Sequence, residues 1–446
     1  MRTPIYDFLR SYAKSDFSRL HMPGHKGKGY LGIEDLDITE IKGADNLFDA
    51  CEIINESEEN AASLFDTGRT LYSAEGSTLA IKTMLSLAYD KAKDKKTAKV
   101  LSARNVHKSF MFAAALLDFD IEWMYGDRAH LCSCNITAED VEKAILKMAE
   151  PPFAVYVTSP DYLGNVLDIG EIAKICNKYS IPLLVDNAHG AYRAFLSESD
   201  HPIARGAAMC CDSAHKTLPV LTGGAYLHIS RDADPYFLSR AKSRMAVFAS
   251  TSPSYLILSS LDLCNRYLND GYKNKLSECI SRLDFMKKAL VSRGIPVAES
   301  EELKLVIKAS DIGYTGVELA ERLRNFKVEP EFCDFEYVVL MFSTENTDED
   351  FLRVESALFD VQKRSPTVKA NEFVLTEKKR IISVREAVFS ESELVDVEAS
   401  VGRIAASPTV SCPPAVPIVV SGEVISKEDI SVFKSYGIDS VLVVKQ

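Results

Sequence analysis

The sequence predicts an α/β protein: a large, mostly parallel sheet covered by helices, a smaller α/β domain and a C-terminal segment. Three observations carry this. The apolar runs Phe153–Thr158 and Ile181–Val185 read as buried strands. Between them Ile169, Ile172, Ala173, Cys176 and Tyr179 recur at helical spacing, which makes a strand–helix–strand unit. A run that is apolar throughout, without alternation, is the pattern of a strand buried on both faces, as in a parallel sheet.

The remaining elements can be placed in chain order. A short helical pattern opens the chain, and H-M-P-G-H-K-G-K-G-Y at 21–30 reads as a loop or arm because of its glycines and proline. A helix is expected over Ser57–Phe65, with acidic residues in its first turn. Another runs from Leu79 to about Lys93, and Phe110–Leu117 looks like a buried helix. Ala207–Cys211 and Ala225–Ile229 supply further strands. A new unit starts near Lys273, with strands at Leu303–Ile307 and Tyr337–Phe342 and helices at Gly316–Phe326 and Asp348–Leu358. A connector near Lys363–Lys369 precedes a Pro-rich loop and a final strand, Ser440–Val444. A length of 446 residues exceeds one ordinary core. The expected division is an arm at 1–30, a large domain at 31–272, a small domain at 273–365 and a C-terminal segment at 366–446.

Bulk properties exclude several classes. A net charge of −12 repels phosphate backbones, so nucleic acid is not an expected partner. No apolar stretch approaches the ~20 residues that span a bilayer, and the N-terminus lacks the apolar core of a signal peptide. The ten cysteines form no pair of C-x-x-C knuckles and no disulfide framework, so neither a metal site nor an oxidising compartment is indicated. Cys132 with Cys134, and Cys210 with Cys211, read as buried small residues. A cytoplasmic location is the expectation.

Four short stretches carry chemistry. V-D-N-A-H at 185–189 ends a strand, where open parallel sheets bind ligands, and places Asp186 there. C-D-S-A-H-K-T-L at 211–218 puts Lys216 on a loop between strands, beside Ser213 and His215. Taken alone, such a lysine more often marks a surface turn, since it becomes a nucleophile only when desolvated or held near another cation. A-E-G-S-T at 74–78 sets Gly76, Ser77 and Thr78 at a helix start, which makes an anion site or a plain cap. R-N-V-H-K-S at 104–109 puts His107 beyond a strand end. Together they supply an anion cradle, an imidazole, a strand-end carboxylate and a loop lysine. Pyridoxal phosphate requires such a set.

With these stretches in place, the chain resembles the short, bacterial-type members of the Orn/Lys/Arg decarboxylase family, pyridoxal-phosphate enzymes of the aspartate-aminotransferase fold, or fold type I. The matching stretches are H-M-P-G-H-K-G at 21–27, D-I-T-E-I at 37–41, N-V-H-K-S at 105–109, D-N-A-H-G-A at 186–191, S-A-H-K-T-L-P at 213–219 and T-S-P-S-Y at 251–255. V-R-E-A at 384–387, P-P-A-V-P at 413–417 and S-G-E at 421–423 resemble the closing segment.

The resemblance implies that Lys216 is the Schiff-base lysine, Asp186 the partner of the pyridine nitrogen and His107 the imidazole stacked on the ring. It implies that Gly76, Ser77 and Thr78 cradle the phosphate, that Ser213 and His215 form its other wall, and that His189 lies beside the cofactor. Thr251 and Ser252 match a phosphate contact lent by a neighbouring subunit, which implies a homodimer or larger homo-oligomer. His21–Lys26 would be an arm near an active site. The implied reaction is decarboxylation of arginine, lysine or ornithine to the amine used in polyamine biosynthesis, with Lys216 or a nearby histidine returning a proton to the α-carbon. Glu386 and Glu423 are candidates to meet the substrate's distal cation.

Three positions depart from the family pattern. Asn187 stands where Glu is common, Gly223 where Gln is common, and Ala415 where Gly is common. Two alternatives therefore stay open: an aminotransferase or lyase of the same fold, for which Arg385 could hold an α-carboxylate, and a catalytically silent paralogue that binds or regulates.

Overall fold

The computed structural model describes residues 1–126, 130–365, 377–409 and 414–445. The expected connector lies outside the described residues from position 366 onward, as does Pro413 of the Pro-rich loop. The chain forms two compact units, one of residues 1–98, 149–159 and 169–274, the other of 99–148, 160–168 and 275–446. The break after Asn274 lies beside the expected boundary at 272, while 99–148 and 160–168 group with the later residues.

In chain order the elements begin with helices α1 (Pro4–Ala13) and α2 (Ile53–Leu64), strand β1 (Arg69–Ser73) and helix α3 (Gly76–Asp90). β2 (Lys99–Ala103), α4 (Lys108–Leu117), β3 (Asp120–Met124) and α5 (Ala138–Lys147) come next. Then come β4 (Ala154–Thr158), α6 (Ile169–Lys178), β5 (Leu183–Asp186), β6 (Met209–Asp212), the single turn α7 (Ala214–Thr217) and β7 (Ala225–Ile229). α8 (Pro235–Ala246) and α9 (Tyr255–Asn269) lead into the long α10 (Tyr272–Ser292).

The first unit is organised by its strands. They lie in the order β1-β7-β6-β5-β4. β4, β5 and β6 run parallel, and β7 is antiparallel to both of its neighbours. Every residue of β5, β6 and β7 is buried, as sequences such as L-L-V-D and A-Y-L-H-I require when both faces are covered. α6 buries Ile169, Ile172, Ala173 and Cys176, the apolar stripe expected of an amphipathic helix. α8 starts with Pro235 at its first position and the Asp234 side chain accepting the Tyr236 N–H, two ordinary start signals. Two buried polar pairs lie inside this unit: Glu58 with Lys242, and Ser57 Oγ with Asp262 at 2.5 Å.

The second unit holds the parallel pair β2–β3 and an antiparallel sheet in the order β10-β11-β9-β8, made of β8 (Val297–Ala298), β9 (Lys304–Lys308), β10 (Phe332–Cys333) and β11 (Tyr337–Met341). α11 (Gly316–Asn325) and α12 (Asp348–Phe359) share a core with that sheet, including Leu305, Ile307, Leu319, Val338 and Phe351. Both helices open on capping boxes, Thr315 with Glu318 and Thr347 with Asp350. After α13 (Val384–Phe389), the strand β12 (Ser392–Asp396) pairs antiparallel with β13 (Ser440–Val444), and α14 (Lys427–Ser435) lies between them in sequence. A core of Ile418, Val419, Ile425, Phe433 and Val443 holds this region.

Leu184 lies in β5, between β4 and β6, and is fully buried. Leu184→Ala should cost about 2–5 kcal/mol, the range for an unfilled core cavity. A lowered urea midpoint with an unchanged slope in the unfolding curve of the purified protein is the expected result.

Candidate active site

Lys216 is placed by β6 and the turn at its end. The strand is buried to its last residue, Asp212, and Ser213 then starts the single helical turn of α7. The sequence predicts an open loop for Lys216; one turn of helix forms instead, closed by the Leu218 N–H on the Ala214 carbonyl. His215 pins this turn. Its backbone N–H at 3.2 Å and its ring Nδ1 at 2.9 Å both reach the Gly224 carbonyl. The half-buried Lys216 then lies with Nζ 3.0 Å from His189 Nε2.

Asp186 is the last residue of β5 and is 2% exposed. The hydrogen bonds to its carboxylate come from neutral groups: Tyr156 Oη at 3.3 Å, Cys211 Sγ at 3.5 Å and the Ala188 N–H at 3.2 Å. Burial pushes its pKa up, against the charge of Lys216 and these bonds, which pull it down. A buried carboxylate held only by weak donors is under-compensated. A cationic N–H from a ligand is what such a group lacks.

The cradle forms where β1 ends. Ser73 Oγ donates to the Gly76 carbonyl at 2.8 Å and accepts the Glu75 N–H, which folds the chain sharply into α3. Gly76 has φ of +67° and donates its N–H to the Gly223 carbonyl at 2.7 Å. A Cβ on Gly76 would meet nothing within 4 Å, so the space beside this turn is open. Ser213 Oγ bonds Ser77 Oγ at 3.0 Å, which brings the two expected walls together. The hydroxyl pair thus lies at the first turn of the 15-residue helix α3, the positive end of its dipole.

Gly223 is explained by the same turn. Its φ is +97°, and a Cβ there would come within 3.2 Å of the Ala74 carbonyl oxygen. A side chain at this position is strained in this chain.

Sequence reasoning missed the group behind these residues. Asp212 is fully buried and accepts from Asn187 Nδ2 at 2.7 Å, His201 Nε2 at 3.1 Å and His228 Nε2 at 3.2 Å. Both imidazoles hold its pKa well below the usual carboxylate range despite its burial. The one signal in the sequence is Asp212 itself, next to Ser213; His201 and His228 are isolated there. Cys210 Sγ, with His201 Nε2 and Asp212, forms one of two trios of potential metal-ligating atoms among the described residues; the other is His130, Cys132 and Asp334.

Each of the other expected residues has its own setting. In the second unit His107 caps α4, its Nδ1 2.8 Å from Ser109 Oγ. Thr251 and Ser252 are exposed. His21 Nε2 bonds Tyr12 Oη at 2.7 Å and His25 Nε2 lies 3.2 Å from Asp37. Glu423 is not open to a substrate: it is buried, 3.8 Å from the Arg104 guanidinium, and accepts the Val420 N–H. Glu386 is exposed on α13. Arg385 donates to the carbonyls of Ala115 and Leu116, so it binds the C-terminus of α4, as cations commonly do.

Comparison with known proteins gives the family of the chain. The Orn/Lys/Arg decarboxylase major-domain profile matches residues 3–309, and the C-terminal-domain profile of the same family matches 369–436. The chain is 28% identical to an arginine decarboxylase of Bacillus subtilis over 475 residues, covering 97% of this chain and 93% of that one. It is also 28% identical to an arginine decarboxylase of Halalkalibacterium halodurans, over 96% and 92% of the two chains. The Francisella novicida lysine decarboxylase structure superposes with a TM-score of 0.80 at 17% identity, over 99% of this chain and 81% of that one. The constitutive lysine decarboxylase of E. coli superposes with a TM-score of 0.77 at 17% identity, over 100% and 82%. At that identity these two structures speak to the fold, the large helix-covered sheet of the pyridoxal-phosphate enzymes.

Burial of His228 gives a pH signature. Desolvation lowers its pKa below the ordinary imidazole value of 6.5, so the unfolded chain takes up this proton first as pH falls. Stability is complete above pH 6.5 and declines below it, by at most ~1.4 kcal/mol per pH unit from this group. Asp212 adds a loss in the same direction below about pH 4. Thermal midpoints should fall between about pH 6.5 and about pH 5, and His228→Gln should flatten that slope.

Proposed function

Since this chain belongs to the Orn/Lys/Arg decarboxylase family, in which it is a decarboxylase of basic amino acids, we propose that it holds pyridoxal phosphate on Lys216 and acts on arginine. The observation that carries the cofactor assignment is Lys216 Nζ at 3.0 Å from His189 Nε2, in the same compact unit as the under-compensated Asp186 and the paired hydroxyls of Ser77 and Ser213. Arginine is chosen because the full-length relatives from Bacillus subtilis and Halalkalibacterium halodurans are named arginine decarboxylases. Lysine and ornithine are the other candidates.

The residues present fit the group. Gly76, Ser77 and Thr78, with Ser213 and His215, would hold the phosphate, and Asp186 would hold a protonated ring nitrogen. His107 is assigned to the ring face from the family resemblance. When bound, the cofactor supplies the electron sink for the pair left by the departing carboxylate.

The chain's own residues do the rest. His189 orients Lys216 Nζ and exchanges a proton with it, the role suited to an imidazole near neutral pH. Asp186, buried among neutral donors, stabilises a cation more strongly than a solvated carboxylate would. Lys216 or His189 returns the proton to the substrate carbon. The release of one carbon dioxide per amino acid leaves the amine.

A homodimer is part of the proposal. Thr251 and Ser252 are exposed, and so are Phe17, Leu20, Met22 and Tyr30 of the arm and Leu31 just after it, an apolar surface that a second copy of this chain would cover. Arg385 is engaged at the end of α4, which disfavours its use as the α-carboxylate anchor of an aminotransferase.

Two outcomes are expected. Protein incubated with pyridoxal phosphate should develop a visible absorbance band, and Lys216→Ala should lack it and lose decarboxylation by at least about 10³-fold. Carbon dioxide release measured with arginine, lysine and ornithine should show arginine preferred by more than about tenfold in kcat/KM. Turnover of none of the three would reject the catalytic reading.

A further inference from the structure

We infer that Asp212 is a positioning residue for the cofactor-holding turn, acting through Asn187, and that positions 187 and 212 together must carry one amide and one carboxylate. This deepens the proposed function and rests on Lys216 and Asp186 holding pyridoxal phosphate.

The geometry is specific about which atom does what. Asp212 Oδ1 takes the Asn187 amide, and Oδ2 takes both imidazoles. His228 Nδ1 continues the chain to Thr70 Oγ1 at 2.8 Å, and Thr70 to Thr67 Oγ1 at 2.8 Å. Asp212, Asn187, His201 and His228 are each no more than 1% exposed. Three donors on one buried carboxylate keep it ionised.

Asn187 transmits this anchor to the turn that bears the chemistry. Its backbone N–H bonds the Cys211 carbonyl at 3.0 Å, and its carbonyl accepts the Gly190 N–H at 2.8 Å. Asp186 precedes it directly, and His189 lies two residues on, within the same turn. The amide orientation is settled by its neighbour, because a flipped amide would set oxygen against the Asp212 carboxylate. The other amide atom, Asn187 Oδ1, is buried with no hydrogen-bond partner. Asn187 is thus retained for its donor alone.

This accounts for the departure at 187. A glutamate there would face Asp212 as a second buried carboxylate, and two like charges in contact without water are strongly disfavoured. In this chain the acid sits on β6 and the amide directly after β5. Exchanging them preserves every bond. Asn at 212 presents its oxygen to both histidines and its amide to the carboxylate of Asp at 187.

The test compares Asn187→Asp, Asp212→Asn and the double variant N187D/D212N with the wild type. Pyridoxal phosphate is titrated into each apoprotein and followed by its visible absorbance, alongside the apoprotein melting temperature, kcat and KM. Each single variant should bind the cofactor on the order of ten- to a hundredfold more weakly, shift the absorbance maximum and lose kcat with KM changed by less than about threefold. The double variant should return cofactor affinity and spectrum to within about threefold of wild type.

Singles that melt earlier but keep wild-type cofactor affinity and spectrum would overturn the positioning role. A double variant no better than its worse parent, or one that fails to fold, would overturn the amide–carboxylate rule. Should the singles fail to fold, the double variant alone decides, by folding and binding or not. Failure of wild type to form the visible band is a different result: it rejects the cofactor reading itself.

Discussion

Two buried carboxylates at neighbouring strand ends organise this site, and their environments are opposite. Asp186 ends β5 and Asp212 ends β6, strands that run parallel with Asp186 beside Cys211 in register. Asp212 is saturated by an amide and two imidazoles, and its pKa is driven down. Asp186 has only a phenol, a thiol and one N–H, and its pKa is driven up. In the same low-dielectric setting, the first is a structural anchor and the second an unmet demand for a cation. The division of labour follows from where the donors are.

The strand order makes this arrangement possible. β7 runs antiparallel between β1 and β6, so His228 of β7 meets Asp212 on one side and Thr70 of β1 on the other. The carboxylate, imidazole and hydroxyl stitch three adjacent strands. The cradle grows from the exit of β1 and the lysine turn from the exit of β6, and Gly223, before β7, ties them through the Gly76 N–H. Glycine suits this position because the left-handed conformation, with its carbonyl on Gly76, strains a side chain and sets its Cβ tightly against the Ala74 carbonyl oxygen.

In the second unit, buried charge serves the fold. Arg104 is 1% exposed and donates to the carbonyls of Pro417 and Ile418, with Glu423 beside it. Lys304 is fully buried and donates to the Asp161 carbonyl, with Glu301 3.7 Å away. Removing either partner of such a pair leaves an uncompensated charge, which makes them constraints on the packing more than sources of stability. Glu423 reads as a substrate ligand in the sequence because a glutamate is usually solvated and available; burial against Arg104 removes that availability.

Periodicity and composition alone determined the alternation of elements. β7 and β13 fall at the expected residues, and β4, β5, β6, β9, β11, α6, α11 and α12 within a few residues of them, because burial on one face or both imposes a local pattern on the chain. The short motifs also singled out the candidate site residues: Lys216, Asp186, Ser77 and Ser213 are named by their immediate neighbours. The tertiary structure alone decided what those residues face. His189 against Lys216 and Ser213 against Ser77 join segments far apart in sequence. The placement of Asp212 between Asn187, His201 and His228 had no local signature, since neither His201 nor His228 sits in a motif. A hydrogen-bond network depends on side-chain directions at several strand ends at once, and no periodicity records those. The lysine turn shows the same limit: four residues are too few for a helical pattern, and His215 bonding Gly224 across the loop is what shapes it.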